Sequence, residues 1–162
     1  MGRSKNKYII LLISILILLF TAGCKGTAYQ RSLYDDDKKI VSDGDSYTYG
    51  LRSGMTVNNK TTIKFGRFTG METIYYVEAK KNSKIKIDFN AKIKTGHFKV
   101  VFIDANNNIT KILEGTLEGS VDLDVLKGTG RIKFVGRDAA GEISLKIYPA
   151  DDVEIIKKSE NF

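Results

Sequence analysis

Residues 84–93, KIKIDFNAKI, alternate strictly between polar and apolar side chains. Successive side chains of a β-strand point to opposite faces, so one face of this stretch is apolar and the other is polar. The apolar face consists of Ile85, Ile87, Phe89, Ala91 and Ile93. The pattern predicts a half-buried β-strand.

The same alternation recurs along the chain between residues 61 and 147. It places on one face Ile63 and Phe65; Phe98, Val100 and Phe102; Val121, Leu123 and Val125; Ile132 and Phe134; and Ile143, Leu145 and Ile147. Two weaker strands are TIYYVEA, residues 73–79, and ITKILEG, residues 109–115.

Clusters rich in Gly, Asn and Asp separate these runs, and such residues favour turns. They are KKNSK (80–84), KTGH (94–97), DANNN (104–108), KGTG (127–130) and GRDAAG (136–141). Because each strand has one apolar face, two sheets must cover each other. We predict an all-β fold for residues 47–150: a two-sheet antiparallel, jelly-roll-like β-sandwich of about eight strands.

The amino terminus has the three-part order of a secretory signal. Arg3, Lys5 and Lys7 precede an apolar stretch, residues 9–20, that only Ser14 interrupts. That stretch is shorter than the roughly 20 residues of a membrane-spanning helix. Residues 1–23 are therefore predicted to be a signal peptide, with an uncleaved anchor helix or an ordinary signal with a free thiol as alternatives.

The sequence TAGC, residues 21–24, resembles the lipobox of bacterial lipoproteins. Ala22, Gly23 and Cys24 match the motif, whereas Thr21 stands where leucine is customary. The resemblance implies cleavage between Gly23 and Cys24 and a diacylglyceryl group on the Cys24 thiol. Two acyl chains hold a protein stably on a membrane. It also implies a cell-membrane location on the extracytoplasmic side, and it covers only residues 1–24.

The segments on either side of the predicted sandwich are polar. Residues 24–46 lack a sustained period and are predicted to be a tether, because they bury too little apolar surface to offset their ordering entropy. Within them, DDDKK (35–39) is interpreted as a solvated charge run, with a carboxylate cluster for a cation as the alternative. Residues 151–162 are predicted to be a C-terminal tail.

The chain is basic, with a formal charge of +7 and a pI near 9.4. Loss of Arg3, Lys5 and Lys7 with the signal peptide leaves +4. Most other lysines alternate with apolar residues, which spreads charge over strand faces instead of concentrating it. We therefore expect solvated strand faces and no nucleic-acid partner.

Few residues carry the chemistry of a metal site or a catalytic centre. His97 is the one histidine and Cys24 the one cysteine, so neither a Cys/His zinc site nor a multi-histidine site can form. Asp104, Asn106 and Asn108 have the spacing of the first calcium-loop ligands, but the loop's glycine and its final glutamate are absent. We expect His97 and the DANNN loop to be turn elements, with a weak calcium site as the alternative for DANNN.

Two further sets of residues are candidates for ligand binding or catalysis. Asp122 and Asp124 share a strand face, as a glycosidase pair could, but alternation directs them to solvent. The tyrosines of YTYG (47–50) and IYYVE (74–78) could stack on sugars or simply pack at the edges of the sandwich.

These observations favour a non-catalytic, membrane-anchored envelope lipoprotein that contacts another protein or a wall polymer and needs no cofactor. The alternatives are a small glycosidase-like hydrolase that uses loop carboxylates, and a carbohydrate-binding module.

Overall fold

The structure is a computed structural model that describes residues 26–158. The predicted signal peptide, its cleavage site and Cys24 lie outside the described residues, as do residues 159–162. The helices are α1 (Ala28–Ser32) and α2 (Asp37–Ile40), with a 3-10 turn at Leu33–Asp35 between them. The strands are β1 (Ser46–Thr48), β2 (Leu51–Val57), β3 (Lys60–Ala79), β4 (Ser83–Ile103), β5 (Ile109–Glu114), β6 (Leu117–Val125), β7 (Gly128–Tyr148) and β8 (Val153–Lys157).

Three long antiparallel strands form the centre of the sheet, and β7 lies between β3 and β4. The outer long strands, β3 and β4, are each bonded to different short strands in their first and second halves, whereas β7 pairs only with β3 and β4 among the described strands. We call "first layer" β2, β6 and residues 60–66, 83–93 and 141–148. We call "second layer" β1, β5, β8 and residues 68–79, 97–103 and 128–137.

The long strands bend where the two layers join. The register shifts at residues 65–70 of β3 and 93–97 of β4, and both shifts lie beside residues 137–140 of β7. Arg67, Gly96 and Asp138 adopt positive φ angles of 52°, 70° and 52°. A Cβ atom at Gly96 would lie 2.2 Å from the carbonyl oxygen of Asp138, so this bend requires glycine. We call this side of the molecule, residues 66–70, 93–97 and 136–141, the bend end.

Three short connections join the layers at the opposite end: residues 80–82, 126–127 and 149–152. The Lys80 backbone N–H donates to the Asp152 carbonyl oxygen at 3.1 Å, and the Lys127 N–H donates to Asn82 Oδ1 at 2.9 Å. We call this side the loop end. Because short loops connect the far ends of both layers there, the layers must lie face to face.

One hydrophobic core fills the space between the layers and contains the predicted inward residues of both. Phe65 of the first layer stacks on Phe98 of the second with ring centroids 4.8 Å apart, and Phe98 meets Phe134 edge-on at 5.3 Å. The predicted all-β antiparallel sandwich is confirmed. Hydrogen bonds make it one continuous sheet folded over, because the long strands pass through both layers.

The predicted turns at KTGH and GRDAAG are bends within β4 and β7, and the predicted strands at residues 63–65 and 73–79 both belong to β3. Three predicted pairs of strands are therefore three long strands. Glycine and a bulge let a strand bend without ending. The predicted tail also differs, because Val153–Lys157 pair with β3 and Val153 is buried in the core.

The prediction of a tether is wrong for residues 26–46. This segment, which we call the strap, packs on the outer surface of the second layer. Leu33 and Ile40 are 0% exposed and lie in a second cluster with Met71, Val101 and Val135. The second layer has apolar side chains on its outer surface as well as on its inner surface. The strap, which has no core of its own, buries its apolar side chains against that outer surface. The folded unit therefore includes residues 26–46 and 151–158, beyond the predicted boundaries of 47 and 150.

Side chains also hold the strap locally. Thr27 and Gln30 form a reciprocal capping box at the start of α1, and the Asp36 carboxylate caps α2 by accepting from the Lys39 N–H at 3.2 Å. Asp36 is therefore a helix cap, and its neighbour Asp35 pairs with Arg137. Two aspartates of the DDDKK run therefore make structural contacts, contrary to the expectation of a solvated charge run.

No helix within residues 26–158 combines the length and apolar character needed to cross a bilayer.

Candidate functional site: the outer face of the first layer

The strand alternation that builds the core also builds a broad polar surface on the other side of the first layer. Residues that face away from the core line up across the strands, and we call this surface the outer face. One row contains Lys60, Lys146, Asp88 and Ser120; the next contains Thr62, Ser144, Asn90 and Glu118.

Two neighbouring depressions cross the outer face. The first has a volume of about 460 Å³, and its lining includes Asp88, Asn90, Glu118, Ser144 and Lys146. The second has a volume of about 550 Å³ and is lined by residues of β2 and β3. Lys60 lines both, so the two depressions adjoin at this residue, and we call them together the groove.

Tyr148 is an exposed aromatic ring beside this groove. It ends β7, is 39% exposed and stands on the outer face because its neighbour Ile147 points into the core. The Lys146 and Lys86 ammonium groups lie 4.6 Å and 5.7 Å from the ring centroid. Both distances lie within the range of a cation–π interaction, so the lysines orient the ring.

The Asp88 carboxylate is held in its charged form at this position. Partial desolvation opposes ionisation, but hydrogen bonds from the Tyr148 hydroxyl and the Lys86 ammonium group lower the pKa of Asp88 below its usual value. Asp88 is therefore a hydrogen-bond acceptor at neutral pH.

Charge on the outer face is mixed rather than uniformly basic. The pairs Lys64–Glu142, Lys84–Asp124 and Lys86–Asp88 have N–O distances of 3.8, 3.5 and 3.3 Å. Interleaved signs weaken the field that a polyanion would feel. This surface therefore does not have the character of a nucleic-acid site.

The edge strand β2 presents apolar side chains next to the groove. Leu51, Met55 and Val57 are 61%, 69% and 58% exposed. They point away from the core, as the alternation within β2 requires. The outer face therefore ends in an apolar margin along one edge.

Asp122 and Asp124 point to solvent, as predicted, and 82% of the Asp124 side chain is exposed. The carboxylates that do share a groove are Asp88 and Glu118, on adjacent strands. Strand alternation in the sequence would have placed Asp88 and Glu118 on the outer face. That they lie next to each other depends on the register between β4 and β6.

The predicted tyrosines divide between exposed and packed positions. Tyr47 is 41% exposed, whereas Tyr49 stacks on Phe68 at 4.4 Å and its hydroxyl donates to Glu72 at 2.5 Å. Burial, followed by the nearby Glu72 carboxylate, raises the pKa of Tyr49 well above its usual value. The hydroxyl of Tyr75 is buried against Thr61 at 2.6 Å. Tyr49 and Tyr75 are therefore packing residues.

The DANNN loop uses its aspartate for its own turn. Asp104 Oδ1 accepts from the backbone N–H groups of Asn106 and Asn108, and Oδ2 accepts from the Asn108 side chain, all at 2.8 Å. The turn interpretation of this loop agrees with the structure. Within residues 26–158 no three His, Cys, Asp or Glu side chains are grouped closely enough to hold a metal ion.

His97 lies at the bend of β4, where its ring is 5.7 Å from that of Tyr34. The Lys99 ammonium and Arg137 guanidinium groups also approach the Tyr34 ring, at 5.0 and 5.1 Å. His97 is thus part of an aromatic and cationic contact that fixes the strap, and it lies within a strand instead of in a turn.

Lys133 forms a buried charge cluster that the sequence did not reveal. It is 0% exposed and donates to the carbonyl oxygens of Ser42 and Gly44 at 2.6 and 3.3 Å. Asp45 lies 3.5 Å from Lys133 and also pairs with Lys158 at 2.6 Å. Burial lowers the pKa of Lys133, and the Asp45 carboxylate opposes that shift. The acceptors are backbone and strap groups, so the cluster joins the strap to β7.

No protein-family model matches this sequence, and no curated protein matches it. Among solved structures, a family 35 carbohydrate-binding module from an environmental isolate is similar with a TM-score of 0.37 and 12% identity, covering 72% of this chain and 91% of that one. A family 35 module from Cellvibrio japonicus is similar with a TM-score of 0.38 and 8% identity, covering 73% and 84%. The enzymatically active domain of a bacteriophage CBA120 tailspike protein has a TM-score of 0.38 and 13% identity, covering 82% and 21%. These TM-scores are too low for the likeness to bear on function.

Proposed function

We propose that this protein is a non-catalytic envelope lipoprotein whose outer face binds a hydroxyl-rich wall polymer. The groove beside Tyr148 is the observation that carries the proposal. Cys24 would hold the protein on the extracytoplasmic side of the cell membrane through its lipid. Lipid anchoring would raise the local concentration of the outer face near the wall, so a weak intrinsic affinity would suffice.

The groove has the chemistry that a sugar polymer requires. A sugar ring has an apolar C–H face that packs on an aromatic ring, and hydroxyl groups that donate to carboxylates and accept from amides and ammonium groups. Tyr148 offers the ring, and Asp88, Asn90, Ser144 and Lys146 offer the polar partners within one depression. Its extension towards β2 suits a chain rather than a single sugar.

A contact with a polymer is favoured over one with a protein because several polar side chains, among them Asp88, Asn90 and Glu118, line the depression beside Tyr148. A protein partner would instead use the apolar margin at Leu51, Met55 and Val57.

A hydrolase is the second candidate, since Asp88 and Glu118 share the groove. Glu118 pairs with Asn90, two residues from Asp88, and the backbones of such diagonal neighbours lie about 7–8 Å apart, so their carboxyl groups can adopt the wider separation of an inverting glycosidase. A glycosidase acid needs a raised pKa, however, whereas that of Asp88 is lowered. We therefore favour binding without cleavage.

Co-sedimentation of the full chain with insoluble wall polysaccharide tests the proposal. Tyr148→Ala is expected to weaken binding about tenfold, which corresponds to about 1.4 kcal/mol. Tyr29→Ala is the matched control, because Tyr29 is also an exposed tyrosine, 54% exposed, with a lysine near its ring. Equal binding by both variants and the wild type would contradict the proposal.

The same samples separate binding from hydrolysis and locate the polymer contact on the outer face. Release of reducing ends that Asp88→Asn and Glu118→Gln abolish would establish the hydrolase instead. Loss of polymer binding in Met55→Arg, with Tyr148→Ala unaffected, would move the contact to β2.

The anchor is tested by the intact mass of protein extracted from membranes. We expect residues 1–23 to be absent and Cys24 to carry a diacylglyceryl group. Cys24→Ala should leave the membrane fraction. An unmodified Cys24 with residues 1–23 still attached would refute the anchor.

A further inference from the structure

The first residue that the structure describes is packed against the bend end. A Cβ atom at Gly26 would lie 2.4 Å from Thr69 Cβ, so the backbone at Gly26 rests directly on this part of β3. The Gly26 carbonyl oxygen accepts from Arg31 Nε at 3.4 Å, and Arg31 also pairs with Asp138 at the bend of β7. The start of the folded unit is thereby held at the bend end.

Cys24 is separated from Gly26 by a single residue, Lys25. Two residues span at most about 7 Å even when fully extended. The second-layer part of β7, residues 128–137, runs from the loop end to the bend end, and ten residues of strand span roughly 33 Å. A lipid on Cys24 therefore holds the bend end close to the membrane, whereas the loop end lies about the length of a layer away from the point of attachment.

The bend end also has side chains that suit a lipid surface. Arg67 and Lys94 are exposed at the bends of β3 and β4. The nearby Asp138 is already paired with Arg31, so its charge is compensated. Exposed cations beside a membrane are attracted by anionic head groups, at about 1 kcal/mol each.

We propose that the bend end lies against the lipid head groups and that the loop end points away from the membrane. This inference rests on the lipid at Cys24 that the proposed function includes. The strands then stand upright on the membrane, and the outer face with Tyr148 extends from the lipid surface towards the wall. The DANNN loop and the 80–82 connection lie farthest from the membrane.

Fluorescence quenching of the lipidated full-length protein in phosphatidylglycerol vesicles tests this orientation. Thr95→Cys at the bend end and Lys81→Cys at the loop end are both at exposed positions, and each is labelled with the same fluorophore while Cys24 carries its lipid. A quencher attached to the lipid head groups should quench the label at residue 95 at least threefold more than the label at residue 81. Equal quenching, or stronger quenching at residue 81, would overturn the orientation.

A variant with twenty Gly and Ser residues inserted between Lys25 and Gly26 tests the role of the short connection. Such a linker has a root-mean-square length of about 25 Å, so the difference between the two labels should largely vanish. A difference that persists would show that the connection does not set the orientation. Intact mass is measured on every sample: lipidated Cys24 with no quenching difference refutes the orientation alone, whereas unmodified Cys24 refutes the anchor and the orientation together.

Discussion

Single side chains couple the strap to the sheet. The Tyr34 hydroxyl donates to Glu114 at 2.8 Å, and the Lys111 ammonium group donates to the same carboxylate at 2.6 Å. These hydrogen bonds, that of Lys111 first, lower the pKa of Glu114 from 4.5. Burial and the Glu114 carboxylate raise the pKa of Tyr34. Tyr34 therefore remains a neutral donor to a charged acceptor at neutral pH.

Acid should weaken this contact. Because the pKa of Glu114 is lower in the folded state than in the unfolded state, its ionisation stabilises the fold above pH 4.5, and this stability is lost as pH falls through the folded pKa. Glu114→Gln should lower the free energy of unfolding at pH 7 and reduce its dependence on pH below 4.5. Urea denaturation between pH 3 and pH 7 measures both effects. Glu154→Gln, at an exposed position of β8, is the control and should change the free energy of unfolding at pH 7 by less than about 0.5 kcal/mol.

At the scale of elements, the strap shows how a polar segment can become part of a core. Its apolar residues Leu33, Tyr34 and Ile40 lack a period, so the sequence indicated a tether. The second layer, however, has apolar side chains on both faces. The run VVFI at 100–103 carries this signal: Val100 and Phe102 face the core, while Val101 and Ile103 face the strap. A continuous apolar run is typical of a strand that is covered on both sides.

Leu33→Ala should therefore destabilise the whole domain. Leu33 is fully buried, and truncation of a buried leucine to alanine costs about 2–5 kcal/mol through lost burial and the cavity that remains. Chemical denaturation measures this loss, and Tyr29→Ala at an exposed strap position should change stability by less than about 0.5 kcal/mol. A free tether would predict no effect of Leu33→Ala, and that result would contradict the packed strap.

At the scale of the whole molecule, the bends decide the architecture. They let three long strands pass through both layers. The layers are therefore joined by the bent strands at the bend end and by short connecting loops at the loop end. The outer face lies on the first layer, and the strap covers the second layer on the opposite side of the core. This geometry also separates the bend end from the loop end by the length of a layer.

Substitution of the bend glycine should disturb both layers together. Gly96→Ala forces a side chain into a left-handed conformation and against the Asp138 carbonyl oxygen at 2.2 Å, so we expect a loss of more than about 1 kcal/mol in the free energy of unfolding. Gly44→Ala is the control, because no atom lies within 4 Å of a Cβ at that position and it should be tolerated. A single cooperative transition in both variants, with only Gly96→Ala shifted, would support the role of the bend. Equal stability of the two would refute it.

Local pattern in the sequence was sufficient for most strand segments between residues 61 and 147, their inward faces and the antiparallel class, because alternation is a property of neighbouring residues. It also indicated that Asp122 and Asp124 are solvated and that DANNN is a turn. It did not indicate β1, β2 or β8. Inward Ile147 already implied an outward Tyr148, although the tyrosines at 47–50 and 74–78 were the aromatic residues considered for ligands.

The groove, the buried Lys133–Asp45 cluster and the packed strap depend on contacts between residues far apart in the chain. Asp88 and Glu118 meet only through the β4–β6 register, and Lys133 meets Asp45 only because the strap crosses β7. Likewise, the glycine in KTGH predicts a turn when only its sequence neighbours are considered. The segment is a bend within β4 because residues on both sides of Gly96 pair with β7. Local alternation therefore determined which face each residue occupies, and long-range pairing decided which faces meet.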